Sequence, residues 1–340
     1  MLTPPDDLDP ALLRATLLDH WRLDAGDLAL AYLPVGFGSH HWSATAPDGR
    51  RWFVTGDDHR MVRRGTHLAP GPDDLDAALR TVTTLRQAGL AFAHGPLLAA
   101  DGRAARRVKN TGWTVSVYDH LEAESLGDHG VIPPTDRPAV LRMLARLHAV
   151  SVAEAGAELR TFDFAIGDRA ELEAALEDVD RPWGTGPLAE PARNLMALHA
   201  DGIRQALRAH DARVSRVLAD RSGWVITHGE PHGGNILRGP GGDLHLVDWD
   251  TAALGPPERD LAGIPGADAS DDWSDYLEAG GTGTISPAMF RARGLWWDLN
   301  DLAEFVAWFR ATHEETPEMI VAWEAISAVL PLAPRFFGTP

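Results

Sequence analysis

Thr227-His228-Gly229-Glu230-Pro231-His232-Gly233-Gly234-Asn235-Ile236-Leu237 is followed, after a short Gly-rich interval, by Leu244-His245-Leu246-Val247-Asp248-Trp249-Asp250. Glu230, Asn235 and Asp248 are oxygen-bearing side chains on tight turns, and the last two each adjoin an apolar, strand-like run. Such runs hold polar tips rigidly at the mouth of a cleft. A carboxylate with an amide oxygen suits a hard cation such as Mg2+, which keeps waters and takes one or two protein oxygens. A carboxylate five residues before the amide can orient a substrate hydroxyl, which completes the parts needed for phosphoryl transfer from a nucleotide. His228 and His232 flank Glu230 and raise a zinc-hydrolase alternative. Helical zinc motifs need both histidines on one helix face, and Pro231 with Gly229, Gly233 and Gly234 disfavours a helix. The simpler expectation is that His228 bonds the loop backbone and orients it.

Outward from this segment the chain changes character twice. Residues 9–20 read as a short amphipathic helix after an Asp-Pro pair. From Leu28 to Val54 the pattern is β-like, with turns at Gly36–Ser39 and Ala46–Gly49 and a strand at 51–55. Asp73–Ala88 carries Leu75, Ala78, Leu79, Val82 and Leu85 on one stripe, which predicts a helix ended by Gly89. Strands follow near 104–108 and 113–118. Pro133-Pro134 marks a boundary, and Arg137–Val150 opens a helical region with stretches at 168–178, 191–210, 211–220, 286–311 and 317–330.

The pattern resembles the aminoglycoside phosphotransferase family, relatives of the protein kinases. The matching residues are His228-Gly229-Glu230, Asn235, Asp248-Trp249, Gly255-Pro256-Pro257-Glu258-Arg259-Asp260-Leu261, Leu144–Ala149 and Gly36-Phe37-Gly38-Ser39. Length and layout resemble the spectinomycin-type branch most. The resemblance implies an α+β, bilobal protein-kinase-like fold, with a nucleotide-binding lobe over 1–118 and a helical lobe over 119–340. It implies Mg2+ and ATP or GTP as cofactors. Glu230 then takes the catalytic-base position, supported by His228, while Asn235 and Asp248 hold the metal. Gly36, Gly38, Ser39 and Thr55 would face the phosphates, Tyr118 and His120 would form the hinge beside the base, and Asp260 would brace the catalytic loop.

Two residues depart from the family pattern. Glu230 replaces an aspartate and adds a methylene, and a misplacement of about 1 Å can cost on the order of a hundredfold in rate. Thr55 stands where the family strand ends in a phosphate-contacting lysine. Lys109 is the only lysine in the chain, so Arg80, one turn after Asp76, is the candidate replacement cation. These departures leave open a second expectation, a kinase-like binding module or a repurposed enzyme. For the acceptor, Asp271 and Asp272, then Asp298 and Asp301 on a shared helix face, offer carboxylates to an amino-sugar or aminocyclitol. A solvated helix face reads equally well for these carboxylates, while Trp296 or Trp297 offers a ring to stack on a sugar among aromatics that otherwise read as core.

Composition sets the outer limits. Of 340 residues, 49 are acidic and 31 basic, a net charge of -18, which disfavours nucleic acid and suits cationic small molecules. The absence of cysteine removes disulfides and thiol catalysis. No apolar run reaches the ~18–20 residues that span a bilayer, so a cytoplasmic protein without a membrane partner is expected.

Overall fold

The computed structural model describes residues 1–23, 27–36, 38–59, 71–127, 131–153, 159–264, 272–281, 285–330 and 332. They divide into two compact units. One takes in residues up to 59, 71–162 and 222–286, and the other 163–221 and 287 onward.

The first unit opens with helix α1 (Pro10–Trp21). Asp9 caps it by accepting from the Ala11 N–H at 2.8 Å, and Pro10 sits where its missing N–H costs nothing. An antiparallel sheet follows in the order β1-β2-β3-β5-β4, built from β1 (Ala29–Leu33), β2 (His40–Thr45), β3 (Arg51–Asp58), β4 (Ala105–Arg107) and β5 (Trp113–Asp119). Side chains alternate between its faces. Trp42, Ala44, Trp52, Val54, Trp113, Val115 and Val117 form one face and share a core with Leu13 and Leu17 of α1. Gly56 belongs to this face because a Cβ there would lie 2.8 Å from the Trp42 ring. The opposite face carries the polar row Thr55, Asp57, Thr114 and Ser116, set by the pairings Thr55↔Ser116 and Asp57↔Thr114. Helix α2 (Pro72–Gln87) buries Leu75, Leu79, Val82 and Leu85, as the stripe predicts.

The same unit contains α3 (Arg137–His148) and the strands around the quoted segment. β7 (Val225–Thr227) pairs with β10 (Ala253–Gly255), and β8 (Ile236–Arg238) forms a hairpin with β9 (Leu244–Leu246) that β6 (Glu124–Ser125) extends. The backbone at 92–94 bonds Leu246 from both directions, which ties this hairpin to the chain after α2. Short helices α6 (Glu258–Leu261) and α7 (Ser274–Glu278) complete the unit.

The second unit is helical: α4 (Arg169–Glu177), α5 (Ala189–Val217), α8 (Pro287–Arg310) and α9 (Pro317–Val329). The stretches expected separately at 191–210 and 211–220 form one helix, α5. Neither proline nor glycine separates them, and the buried series Met196, Ile203, Leu207 and His210 runs toward the junction without interruption. Among the described residues no helix is long and apolar enough to cross a membrane.

Candidate active site

The quoted segment is an irregular loop between β7 and β8, held from beneath by one carboxylate. Asp260 is fully buried. Its Oδ1 accepts from the Gly229 N–H at 2.6 Å, and its Oδ2 accepts from the His228 N–H at 2.9 Å. His148 Nε2 lies 3.0 Å from the same Oδ2. Burial works against the charged form of Asp260, but the hydrogen bond with His148 and the Arg259 guanidinium outweigh it and hold the carboxyl below its usual range. Arg259, also buried, donates to Thr227 Oγ1 and to the Thr251 carbonyl, each at 2.8 Å, and lies over the Phe162 ring. Gly229 has φ +110, and an added Cβ would fall 2.3 Å from that guanidinium, so only glycine fits.

His228 does bond the loop backbone. Its Nε2 lies 2.8 Å from the Val247 carbonyl, and its Nδ1 accepts from the Glu230 N–H at 3.2 Å. Burial lowers its pKa to about 4, so the ring is neutral and carries its proton on Nε2. With both ring nitrogens committed, His228 has none left for zinc. Among the described residues no three or more His, Cys, Asp or Glu side chains are grouped to hold a metal by themselves.

Asn235 and Asp248 are brought together by the hairpin. The Val247 N–H donates to the Asn235 carbonyl at 3.0 Å, which sets the two residues side by side at the open end of β8 and β9. The Asn235 side-chain N–H2 donates to the Glu230 carbonyl at 3.1 Å, which turns its amide oxygen away from the loop. Asp248 adopts φ +65, a conformation that aspartate tolerates better than most residues. One side of Asp248 is open to solvent. Even so, the protein packed around it and then the Glu230 charge raise its pKa to about 6. Asp250 is raised further by burial and by Asp248, Glu230 and Asp57, against a small opposing effect of Arg160. Hard oxygen donors beside crowded negative charge fit Mg2+, which needs few protein ligands.

The sheet contributes from its polar face. Ser39 donates to Asp57 Oδ1 at 2.6 Å, which joins the residue before β2 to β3. Burial raises the Asp57 pKa to about 6; the Ser39 bond opposes this, and Asp248 adds to it. Tyr118 is raised well above its ordinary value by burial and by Asp248, Asp57 and Asp250, while a bond with the Thr55 side chain works the other way. The position expected to supply a lysine therefore holds a neutral hydroxyl pair facing carboxylates. Gly36 and Gly38 have φ +72 and +91, and Phe37 lies outside the described residues. His120 follows β5, with its N–H 3.4 Å from the Arg51 carbonyl. Asp76 is buried and accepts from the Ala104 and Ala105 N–H groups at 2.7 and 3.0 Å, while Arg80 lies on the exposed face of α2.

The residues expected to meet an acceptor belong to different units. Asp271 lies outside the described residues. Asp272 is exposed in the first unit and accepts from the Ser274 N–H at 2.9 Å, just ahead of α7. Asp298, Asp301 and Trp297 lie on α8 in the second unit; Asp298 is buried, and the Arg293 guanidinium covers the Trp297 ring at 4.2 Å. Trp296 is core and donates to the Ala165 carbonyl. Sequence reasoning missed Asp57, Asp250, Arg259 and His148. Asp57 had one usable signal, its two-residue spacing from Thr55, which puts both on one sheet face.

Residues 47–305 match the model of the Phosphotransferase enzyme family (APH). The chain belongs to that family. It is thus a small-molecule phosphotransferase. Protein StrN of Streptomyces griseus is 27% identical over 312 residues, covering 87% of this chain and 90% of that protein. The spectinomycin phosphotransferase APH(9)-Ia, in complex with ADP and spectinomycin, superposes with a TM-score of 0.72 at 14% identity, over 96% of this chain and 95% of that one. The choline kinase LicA from Streptococcus pneumoniae gives a TM-score of 0.55 at 14% identity, over 94% and 97%. These likenesses establish the kinase-like fold of this phosphotransferase.

Proposed function

We propose that the enzyme moves the γ-phosphoryl group of ATP or GTP to a hydroxyl of a small, hydrophilic, cationic molecule of the aminoglycoside or aminocyclitol kind. The observation that carries this reading is the grouping of Glu230 and Asn235, on a loop fixed by buried Asp260, with Asp248 just after β9 and close enough to Glu230 to feel its charge. Family membership and the likeness to a phosphotransferase solved with ADP and spectinomycin support it.

Asn235, through its amide oxygen, and Asp248 would hold Mg2+, which when bound would offset the negative charge of the phosphates. Glu230 orients the acceptor hydroxyl and takes its proton on a carboxylate oxygen. Because phosphoryl transfer has a loose transition state, this carboxylate works mainly by positioning, and glutamate retains the charge and acceptor atoms required. His228 and Asp260 keep the loop from shifting under the longer arm. Gly36, Gly38 and Ser39, the last tied to Asp57, would offer backbone N–H groups to the phosphates. Net charge -18 favours encounter with a cationic acceptor.

The test is thermal shift with ATP and GTP, each with and without Mg2+, followed by ADP release across aminocyclitols and aminoglycosides. The expected result is a Mg2+-dependent rise in Tm that Asp248→Asn abolishes. Asparagine tolerates the same positive φ, so the variant tests charge rather than backbone. No shift at millimolar nucleotide would sink the kinase reading and leave a binding module that lost its lysine at Thr55.

A further inference from the structure

Tyr276 lies far from the quoted segment in sequence and belongs to no motif discussed above. It is fully buried on α7, and its hydroxyl lies 2.8 Å from His148 Nδ1, with the two rings edge to face at 5.6 Å. The opposite nitrogen of the same imidazole reaches Asp260 Oδ2 at 3.0 Å. Asp260 in turn accepts from the backbone N–H groups of His228 and Gly229. A continuous chain of hydrogen bonds therefore runs from α7 to the residues immediately before Glu230.

The ends of this chain are held in place. α7 is fastened to α3 by Arg142 to Asp275 at 2.5 Å and by the Arg137 guanidinium over Trp273 at 5.4 Å. Behind Tyr276, Gly281 donates to its carbonyl, and a Cβ at Gly281 would lie 2.4 Å from the tyrosine ring. The phenol has little freedom to move. A tyrosine O–H donating to Nδ1 leaves the proton of a neutral imidazole on Nε2, the nitrogen that must donate to Asp260.

We propose that Tyr276 is a positioning residue for phosphoryl transfer: its hydroxyl selects the His148 tautomer that orients Asp260 and thereby sets the catalytic-loop backbone under Glu230. This rests on the reading of Glu230 given above. Tyr276→Phe retains the ring in the core and removes only the oxygen. His148 Nδ1 is then buried without a donor, the ring is free to change tautomer or rotate, and Asp260 loses its fixed third partner. A small shift of Glu230 reads out in the rate, because displacements near 1 Å cost on the order of a hundredfold.

The experiment compares wild type and Tyr276→Phe in turnover and in amide hydrogen exchange at His228 and Gly229. Expected are a fall in kcat of about tenfold, nucleotide KM within about twofold, and faster exchange at those two amides. Unchanged kcat and unchanged exchange, with only a lower Tm, would overturn the proposal and leave Tyr276 a packing residue. If the wild type transfers no phosphate to any acceptor, the kinase reading fails instead, and the exchange measurement still tests the chain of bonds. The wild-type ring nitrogen NMR spectrum of His148 needs no variant. A proton on Nε2 with Nδ1 bare supports the proposal, and a proton on Nδ1, alone or in an imidazolium, overturns it.

Discussion

Replacing Asp260 with asparagine tests how much of the site depends on one buried charge. The carboxylate accepts from His228 N–H, Gly229 N–H and His148 Nε2 and is fully buried beside the buried Arg259. Asparagine keeps one acceptor oxygen. Placed to serve His228 and His148, it turns an N–H2 toward the Gly229 N–H, donor against donor. It also removes the negative charge that the Arg259 guanidinium stabilises, and each buried donor left without an acceptor costs about 1–3 kcal/mol. Even with partial relaxation of the loop, Tm should fall on the order of 10 °C. The pH dependence has a definite sign. The folded pKa of Asp260 lies below its unfolded value of about 3.9. The stabilisation is therefore fully present above that value and lost as pH falls through the folded pKa. Thermal melts of both proteins from pH 7 down to pH 3 should show a constant gap above about pH 5 that closes in acid. A variant that melts within a degree of wild type at pH 7, or a gap that does not narrow between pH 5 and pH 3, would refute the account of Asp260 as the anchor of the loop.

Gly229→Ala should cost about 1–3 kcal/mol in backbone strain alone, before the overlap with Arg259, and denaturant titration should show the lower midpoint together with lost turnover. Asp168, before α4, is buried, with no hydrogen bond to either carboxylate oxygen among the described residues; burial and then Glu171 raise its pKa to about 7. A raised carboxyl costs stability as pH climbs from its unfolded value through 7. Asp168→Asn should therefore raise Tm at pH 8 and change it less at pH 5, and equal effects at both would contradict this.

The spacing of Glu230, Asn235 and Asp248 was legible because it is local. The β8–β9 hairpin closes over a few residues, and its alternating apolar positions decide which tips sit at the open end. The stripe of α2 and the helix over α3 were legible for the same reason, since burial follows a 3.6-residue period. The continuity of α5 was also written in the chain, in the absence of any breaker between 210 and 211.

Other roles depended on partners distant in sequence. Asp76 reads as the natural mate of a cation one turn away, yet it accepts from the backbone of Ala104 and Ala105, because folding brings two β4-side N–H groups under α2 that need an acceptor. Asp57 reads as an ordinary strand aspartate until the fold sets it near Asp248 and in contact with Ser39. His148, Asp260, Tyr276 and the loop at 228–229 lie as many as 128 residues apart along the chain, and nothing in their local patterns predicts that they meet. The local sequence establishes the chemical groups and their order, because spacing and periodicity are properties of neighbours. Only the folded chain decides which carboxylates are paired, which are crowded together and which are braced, because those energies depend on distances across the chain and on removal from water.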